Sequence, residues 1–404
     1  MSRSHAIALT AKTALLSAFL VVSTVAAGGE AHAVGGELVV TFGGDVCLNR
    51  SRLTPEASGT RFGATLMTWP KLTRAIRKQT NGDLNFVNLE TVVSDKPLSS
   101  VQKKYAFLSH PDGVDYLVRM GINLMSTANN HAYDYGEQGA RSTLRHLARI
   151  KRRHPKLHYA GLGSNEKQAA AVQVFRVRGY RVAFAAIGNL TNMNKAHRAG
   201  PHKAGTLGIR YEKDWLQVLD NLRRVKADYK ILSAHLGVER SVRLDPGQRA
   251  KYEQALKRAG VDLVIGHHPH VVRPVQKQGR KLIFYSLGNY LIRGARNMAP
   301  FPDRLDYGLF GRVYLNFDVK RGRLVATAVE AIPMTEMHAV STPMKPTEAA
   351  RRIAVLNQIS KAQLGAAALK LRARSDGSGI ACLGGPYGPR AKRACVANVA
   401  SRAR

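Results

Sequence analysis

Cysteine is scarce in this chain, with three in 404 residues. That excludes a disulfide-dense scaffold and a four-thiolate zinc site. Acid is scarce too: 27 Asp and Glu stand against 62 Lys and Arg, a formal net charge of +35. An acidic, solvating disordered chain is therefore excluded. Long apolar runs are nearly absent. Residues 13–27 form one, but it is short of the ~20 residues that span a bilayer. A polytopic membrane protein is excluded on that ground. No internal repeat is present, so a solenoid is not expected.

What is present begins at the N-terminus. Arg3 and Lys12 precede the apolar run, and Ala31-His32-Ala33 follows it. A basic region, a hydrophobic core and an A-x-A site read as a secretory signal cleaved after Ala33. No cysteine lies near that site, which disfavours a lipoprotein. The expected location is outside the cytoplasm, in the periplasm, at the cell wall or secreted beyond it. Residues 1–33 hold only Arg3, Lys12 and Glu30 as charges, so the mature chain keeps the basic excess. By charge, its partners are polyanions: envelope polymers, phospholipid surfaces or nucleic acid. The basic residues are scattered along the chain, so they do not choose among these. Cys382 and Cys395 flank a Gly/Pro-rich segment that suits a small disulfide loop in an oxidising compartment. Cys47 is left over, either as a soft metal ligand or as a small buried thiol.

Short β-rich runs recur at 37–42, 84–88, 122–127, 182–187, 230–234, 262–266 and 282–286. Several are continuously apolar, as strands buried on both faces are. Residues 312–319 and 324–332 fit a hairpin. Helical stretches lie between the strands. One starts with Asp112 as a cap and ends at Gly121, and another, 247–260, stops at Gly260. Residues 348–374 read as one Ala-rich amphipathic helix. Alternating strands and helices place the chain in the α/β class. The domain organisation expected is a signal peptide at 1–33, one domain at 34–340 and a basic helical C-terminal extension at 341–404.

The polar residues cluster where the strands end. Asp45 follows the first strand, and Asn88 and Glu90 close the second. Asn129, Asn130, His131 and Asp134 follow the third. His235 and Glu239 follow 230–234. His267, His268 and His270 follow 262–266, and Asn289 follows 282–286. In open α/β sheets, ligands bind past the carboxyl ends of the strands. Any one of these side chains has a structural explanation as a turn or cap residue. Together they point to a metal or catalytic site. Mixed carboxylate, amide and imidazole donors suit divalent Mn, Zn or Fe. Six such donors exceed one tetrahedral site and fit two ions about 3.5–4 Å apart. In "NNH", Asn130 would bind metal while His131 does the proton work.

The blocks "GDV", "NLET", "STANNHAYDYG", "SAHLGVE", "AGVDLVIGHHPHVVRPV" and "IFYSLGNYL" occur in that order across residues 36–293. This series resembles the CapA-type proteins of poly-γ-glutamate capsule synthesis, whose domain is similar to calcineurin-like metallophosphatases. The resemblance implies a four-layer α/β/β/α sandwich around a two-metal site. It implies Asp45, Glu90, Asn130, His235, His268 and His270 as metal ligands and His131 as the general acid. Asn88, His267, Glu239 and Asn289 are left for substrate contacts or for the surrounding shell. One departure is Asp45-Val46-Cys47 where the phosphatase pattern has D-x-H, and another is Leu236 in place of its usual tryptophan. The function implied is a metal-dependent hydrolase that makes, releases or trims poly-γ-glutamate or a related anionic polymer, within a capsule synthesis or export complex. Nucleic acid is set aside as a partner. Two alternatives stay open: a phosphoesterase acting on an envelope phosphoester, and a polymer-binding accessory without catalysis.

Overall fold

The computed structural model describes residues 36–48, 68–101, 105–188, 196–293, 296–318 and 322–396. The expected signal at 1–33 lies outside these residues. Two large sheets organise what is described.

The larger sheet begins with β1 (Glu37–Cys47), β2 (Leu84–Leu89), β3 (Leu124–Ser126) and β4 (His158–Ala160), all mutually parallel in sequence order. The smaller sheet takes the middle of the chain: β5 (Gln173–Val177), β6 (Tyr180–Ile187), β7 (Tyr229–His235), β8 (Leu263–His267), β9 (Val275–Gln278) and β10 (Lys281–Phe284). Its order is β9-β10-β8-β7-β6-β5, parallel through β10, β8, β7 and β6 and antiparallel at both edges. The chain then returns to the larger sheet with β11 (Asn289–Ile292), β12 (Gly308–Asp318), β13 (Arg323–Thr335) and β14 (Gly379–Gly384). The order there is β14-β13-β12-β1-β2-β3-β4.

Strand β1 changes partner along one edge. Glu37 to Phe42 pair antiparallel with β12, and Asp45 to Cys47 pair parallel with β11. Gly44 permits this switch, because a Cβ there would stand 1.9 Å from the Gly288 carbonyl oxygen. Asp45 N–H donates to that same carbonyl at 3.2 Å. The two glycines thus draw β1 and the start of β11 together beneath Asp45.

The apolar runs are buried on both faces, as their lack of alternation predicts. In β2, Leu84 and Phe86 face the core between the sheets. Val87 and Leu89 face the opposite way, toward α1 (Pro111–Arg119) and α2 (Gly136–Arg153). Across the central core Phe42 meets Phe284 edge-on at 4.8 Å, and Phe86 meets Phe184 at 5.9 Å. These T-shaped pairs place the positive ring edge on the negative ring face. On the outside of the smaller sheet, α3 (Glu212–Arg224) and α4 (Pro246–Arg258) bury Trp215, Leu222 and Tyr252 against Ala183, Leu232 and Val264.

Two helical expectations need correction. The cap of α1 is His110, which accepts from Asp112 N–H; Asp112 itself lies in the first turn, where a carboxylate favours the helix dipole. The helix expected over 348–374 is α5, Pro346–Leu364. Gly365 stops it with φ +58, a left-handed backbone that favours glycine. Beyond it, Leu369 and Leu371 alternate into the core instead of continuing the helical face. The C-terminal segment also supplies β14, paired with Ala326 to Ala331 of β13, and α6 (Pro389–Val396). Cys382 and Cys395 form a disulfide that joins β14 to α6. Among the described residues, no helix is long and apolar enough to cross a membrane.

Candidate metal centre

The carboxyl ends of the parallel strands of both sheets meet at one place. Asp45, Asn88 and Glu90 come from the larger sheet. His235 ends β7, and His267 ends β8 in direct register with it. The chain then turns sharply through His268 and His270, with φ of +97 and +56. Non-glycine residues rarely adopt that region, and such strain concentrates at functional sites. Here it swings two imidazoles back toward Asp45.

Asn88 is the buried bridge between the sheets. One amide hydrogen goes to Asp45 Oδ1 at 2.8 Å, and the same nitrogen lies 3.2 Å from His235 Nδ1. His235 Nε2 lies 2.7 Å from Asn130 Oδ1 and 3.4 Å from Glu90 Oε1. Asp45 has His267 Nδ1 at 3.1 Å and His270 Nδ1 at 3.2 Å. His270 Nδ1 is also 2.8 Å from Asn289 Oδ1. Asp45, Glu90 and His270 each offer one donor atom within 4.8 Å of the others.

The electrostatics follow from burial and neighbours. Burial opposes the charge on Asp45, but hydrogen bonds and charge from His267 and His270 outweigh it and hold the acid well below its usual range. Burial also keeps His235 neutral, its pKa well below the ordinary value, and pushes His268 down to about 3. His270 goes the other way. Burial works against its cation, yet the charge of Glu90 and the hydrogen bond and charge of Asp45 push it up to about 10. Neutral imidazoles and ionised carboxylates are the forms a cation binds. The donor set fits a divalent metal ion: buried oxygen and nitrogen donors from both sheets, aimed at one spot.

His131 stands at the edge of this cluster. Its Nδ1 is 2.6 Å from Asp134 Oδ2, and its Nε2 is 4.0 Å from Glu90 Oε1. Phe107 stacks on the ring at 4.0 Å and donates its backbone N–H to Asp134 at 2.8 Å. The ring is thus fixed from behind with Nε2 facing the carboxylates.

The structure brings together Asp45, Asn88, Glu90, Asn130, His131, His235, His267, His270 and Asn289. His268 sits beside them, its ring 4.9 Å from that of His235. His267 is fully buried against Phe86, with its Nδ1 3.1 Å from Asp45, which it braces. Glu239 is exposed, and it reaches the cluster only through its charge on His270. Cys47 does not join the cluster. It is buried, and its Sγ lies 4.0 Å from Ser109 Oγ. Asp134 and Asn129, which the sequence places in the cluster without a role, support it. Asn129 ties the loop down by donating to Leu89 O at 2.9 Å and accepting from His131 N–H at 3.1 Å. The signal for Asp134 was its spacing of three from His131 in "NNHAYD".

Comparison with known proteins gives a consistent kinship. The family described as "Bacterial capsule synthesis protein PGA_cap" matches residues 39–293, more than half of the chain. The PGA biosynthesis protein CapA of Bacillus subtilis (strain 168) is 30% identical over 211 residues, which cover 51% of this chain and 52% of that one. The capsule biosynthesis protein CapA of Bacillus anthracis is 26% identical over 281 residues, covering 69% of this chain and 65% of that one. The chain thus spans about half to two thirds of the length of these relatives. Among solved structures, the calcineurin-like phosphoesterase YfkN from Bacillus subtilis overlaps 81% of this chain and 98% of that one, at 12% identity and a TM-score of 0.38.

Proposed function

The chain belongs to the bacterial capsule synthesis family PGA_cap, and from that premise we propose that it is a metal-dependent hydrolase acting on an anionic polymer of the poly-γ-glutamate type. The observation that carries the proposal is the convergence of Asp45, Glu90 and His270 within 4.8 Å, beside a His131 held by Asp134. A structural cluster would need no histidine oriented in this way.

The ligands we propose are Asp45, Glu90, Asn130, His235, His268 and His270. A divalent ion bound there would polarise an amide or phosphoryl oxygen and acidify a water molecule. The rest of the chemistry belongs to the chain. Asp134 accepts from Nδ1–H of His131 and favours its imidazolium form, in which the proton available for transfer sits on Nε2, on the side of Glu90. From there it can pass to the leaving nitrogen of a γ-amide bond. His131 itself is buried under the half-buried Phe107 ring, which limits bulk water there and strengthens each of these interactions. The basic excess raises the local concentration of a polycarboxylate, an attraction that salt screens. The leader pattern at 1–33 supports action outside the cytoplasm, alongside a capsule synthesis or export complex.

The test is metal content by elemental analysis, beside cleavage of a defined γ-glutamyl oligomer. The wild type should hold divalent metal and cleave; Asp45→Ala and His268→Ala should lose the metal. Metal binding with cleavage of phosphodiesters alone would move the substrate class to an envelope phosphoester. No metal after loading with Mn²⁺ or Zn²⁺ would leave a polymer-binding accessory and sink the hydrolase.

A further inference from the structure

The outer face of the larger sheet carries a second polar cluster, at the other end of β1. Arg312 of β12 pairs directly with Glu330 of β13, and Tyr314 pairs with Val39 of β1. Residues two apart on a strand share a face, so all four side chains lie on one surface. Helix α6 covers part of it, packing Ala391 and Ala394 on Val39, Tyr314 and Ala328. Arg390 and Arg393 sit one helical turn apart and line the same cavity, of about 380 Å³, together with Arg312, Arg374 and Glu330. That volume is within the range of small-ligand sites. Val39 and Asp45 are six residues apart on one strand, so the cavity lies about 20 Å from the metal centre.

The charges are arranged to hold guanidinium groups in place while leaving donors spare. Glu330 accepts from Arg312, from Arg374 at 2.8 Å and from the Tyr314 hydroxyl at 3.3 Å. Arg312 also donates to Asn81 Oδ1 at 2.9 Å, yet its buried Nε finds no acceptor among the described residues. Arg374 has Asp376 at 3.4 Å. Arg390 is held by Glu37 and Asp83, each at 2.8 Å. Arg393 is exposed and has no carboxylate partner among the described residues. Four guanidinium groups and one carboxylate, Glu330, therefore line the cavity, while Glu37, Asp83 and Asp376 pair with two of the guanidinium groups. Glu330 stands among them and repels a compact, multiply charged group. Separate single charges along a chain suit such spacing, and planar guanidinium matches carboxylate.

We propose that this cavity is a docking subsite for a carboxylate-bearing segment of an anionic polymer, separate from the metal centre. The identity of that anion rests on the polymer reading above. A segment held here while a neighbouring stretch lies at Asp45 turns two weak contacts into one stronger one.

The experiment is calorimetric titration of the full chain with a short oligo-γ-glutamate at low salt. Arg393→Glu removes an exposed guanidinium that has no carboxylate partner among the described residues, and an unchanged far-UV circular dichroism spectrum checks that the fold is kept. Arg224→Glu makes the same charge change on exposed α3 and serves as the control. Arg393→Glu should weaken binding about 10–100-fold, the scale of a lost charge-assisted hydrogen bond, while Arg224→Glu stays near wild type. Equal weakening by both variants would reduce the effect to net charge and overturn the subsite. Binding by the wild type with no change in Arg393→Glu would also overturn it, and would leave the polymer reading standing. Tighter binding of inorganic phosphate with the same dependence on Arg393 would overturn the carboxylate assignment. No binding of the oligomer by the wild type would remove both readings together.

Discussion

The two ends of β1 hold buried carboxylates by opposite means. At its start, Glu37 takes the Arg390 guanidinium at 2.8 Å and the backbone N–H of Arg390 at 3.0 Å, at the head of α6. Near its finish, Asp45 is met by an amide and by the imidazoles of His267 and His270. Guanidinium stays charged at any working pH, so the pair at Glu37 is permanent and fastens the C-terminal segment to the sheet. Imidazole can give up its proton and offer a lone pair instead, so the cluster at Asp45 can exchange a proton for a cation. One strand thus carries a permanent ion pair at one end and the proposed metal centre at the other.

That contrast can be broken at either end. The largest effect is expected at the reactive end: His131→Gln should lower turnover of a γ-glutamyl oligomer by on the order of 10²–10⁴-fold, with metal content unchanged. Equal turnover in the variant would remove His131 from the chemistry. At the structural end, Glu37→Ala leaves Arg390 with Asp83 as its carboxylate partner and strands the first N–H groups of α6. It should cost about 2–3 kcal/mol in urea unfolding, below the ~3–5 kcal/mol of fully buried pairs because Arg390 is partly exposed. The metal content of that variant should not move, and a loss of metal would show that the two ends are coupled.

Asp134→Asn sharpens the reactive end. It keeps the size of the side chain but removes the charge behind His131, and turnover should fall about 10–100-fold by analogy with outer-shell partners of metal sites. The pH profile should shift with it, which a purely structural role would not produce. The smallest effect concerns an imidazole with no carboxylate partner among the described residues. His158 stacks on Phe175 at 3.7 Å, and burial, aided by the charge of Lys151, pushes its pKa down to about 4. The folded state therefore binds this proton less readily than the unfolded chain does. Its contribution is intact above pH ~6.5 and fades as pH falls toward 4, by about 1–2 kcal/mol after allowance for partial exposure. His158→Phe should flatten that part of the stability curve. An unchanged curve would show that His158 titrates normally.

Much of the site was legible because strand ends announce themselves. Continuous apolar runs fixed where β1, β2, β7 and β8 lie, and the polar residues just past them marked one edge. His267 shows the limit of that reading. In sequence it is one of three adjacent imidazoles, and only the register of β8 beside β7 sends it inward onto Asp45 and Phe86. Cys47 shows the same limit. Its spacing of two from Asp45 suggests a shared face, yet the packing sets its thiol 4.0 Å from Ser109 Oγ. The helix expected through residue 374 failed because composition favoured helix while Gly365 ended it and packing took Leu369 and Leu371 into the sheet core.

The sequence by itself determined the α/β class, the family and the residue types that gather at the strand ends, because those depend on local pattern and on motif order. The tertiary structure decided which of them meet. Asn88 reaches His235, and Asn130 reaches the same ring, only because two sheets far apart in sequence pack face to face. It likewise decided that Arg312, Arg374 and Arg393 share one cavity, since strand register and the docking of α6 are long-range facts. Local pattern acts over a few residues; the pairing of distant segments is set by the burial of their common core.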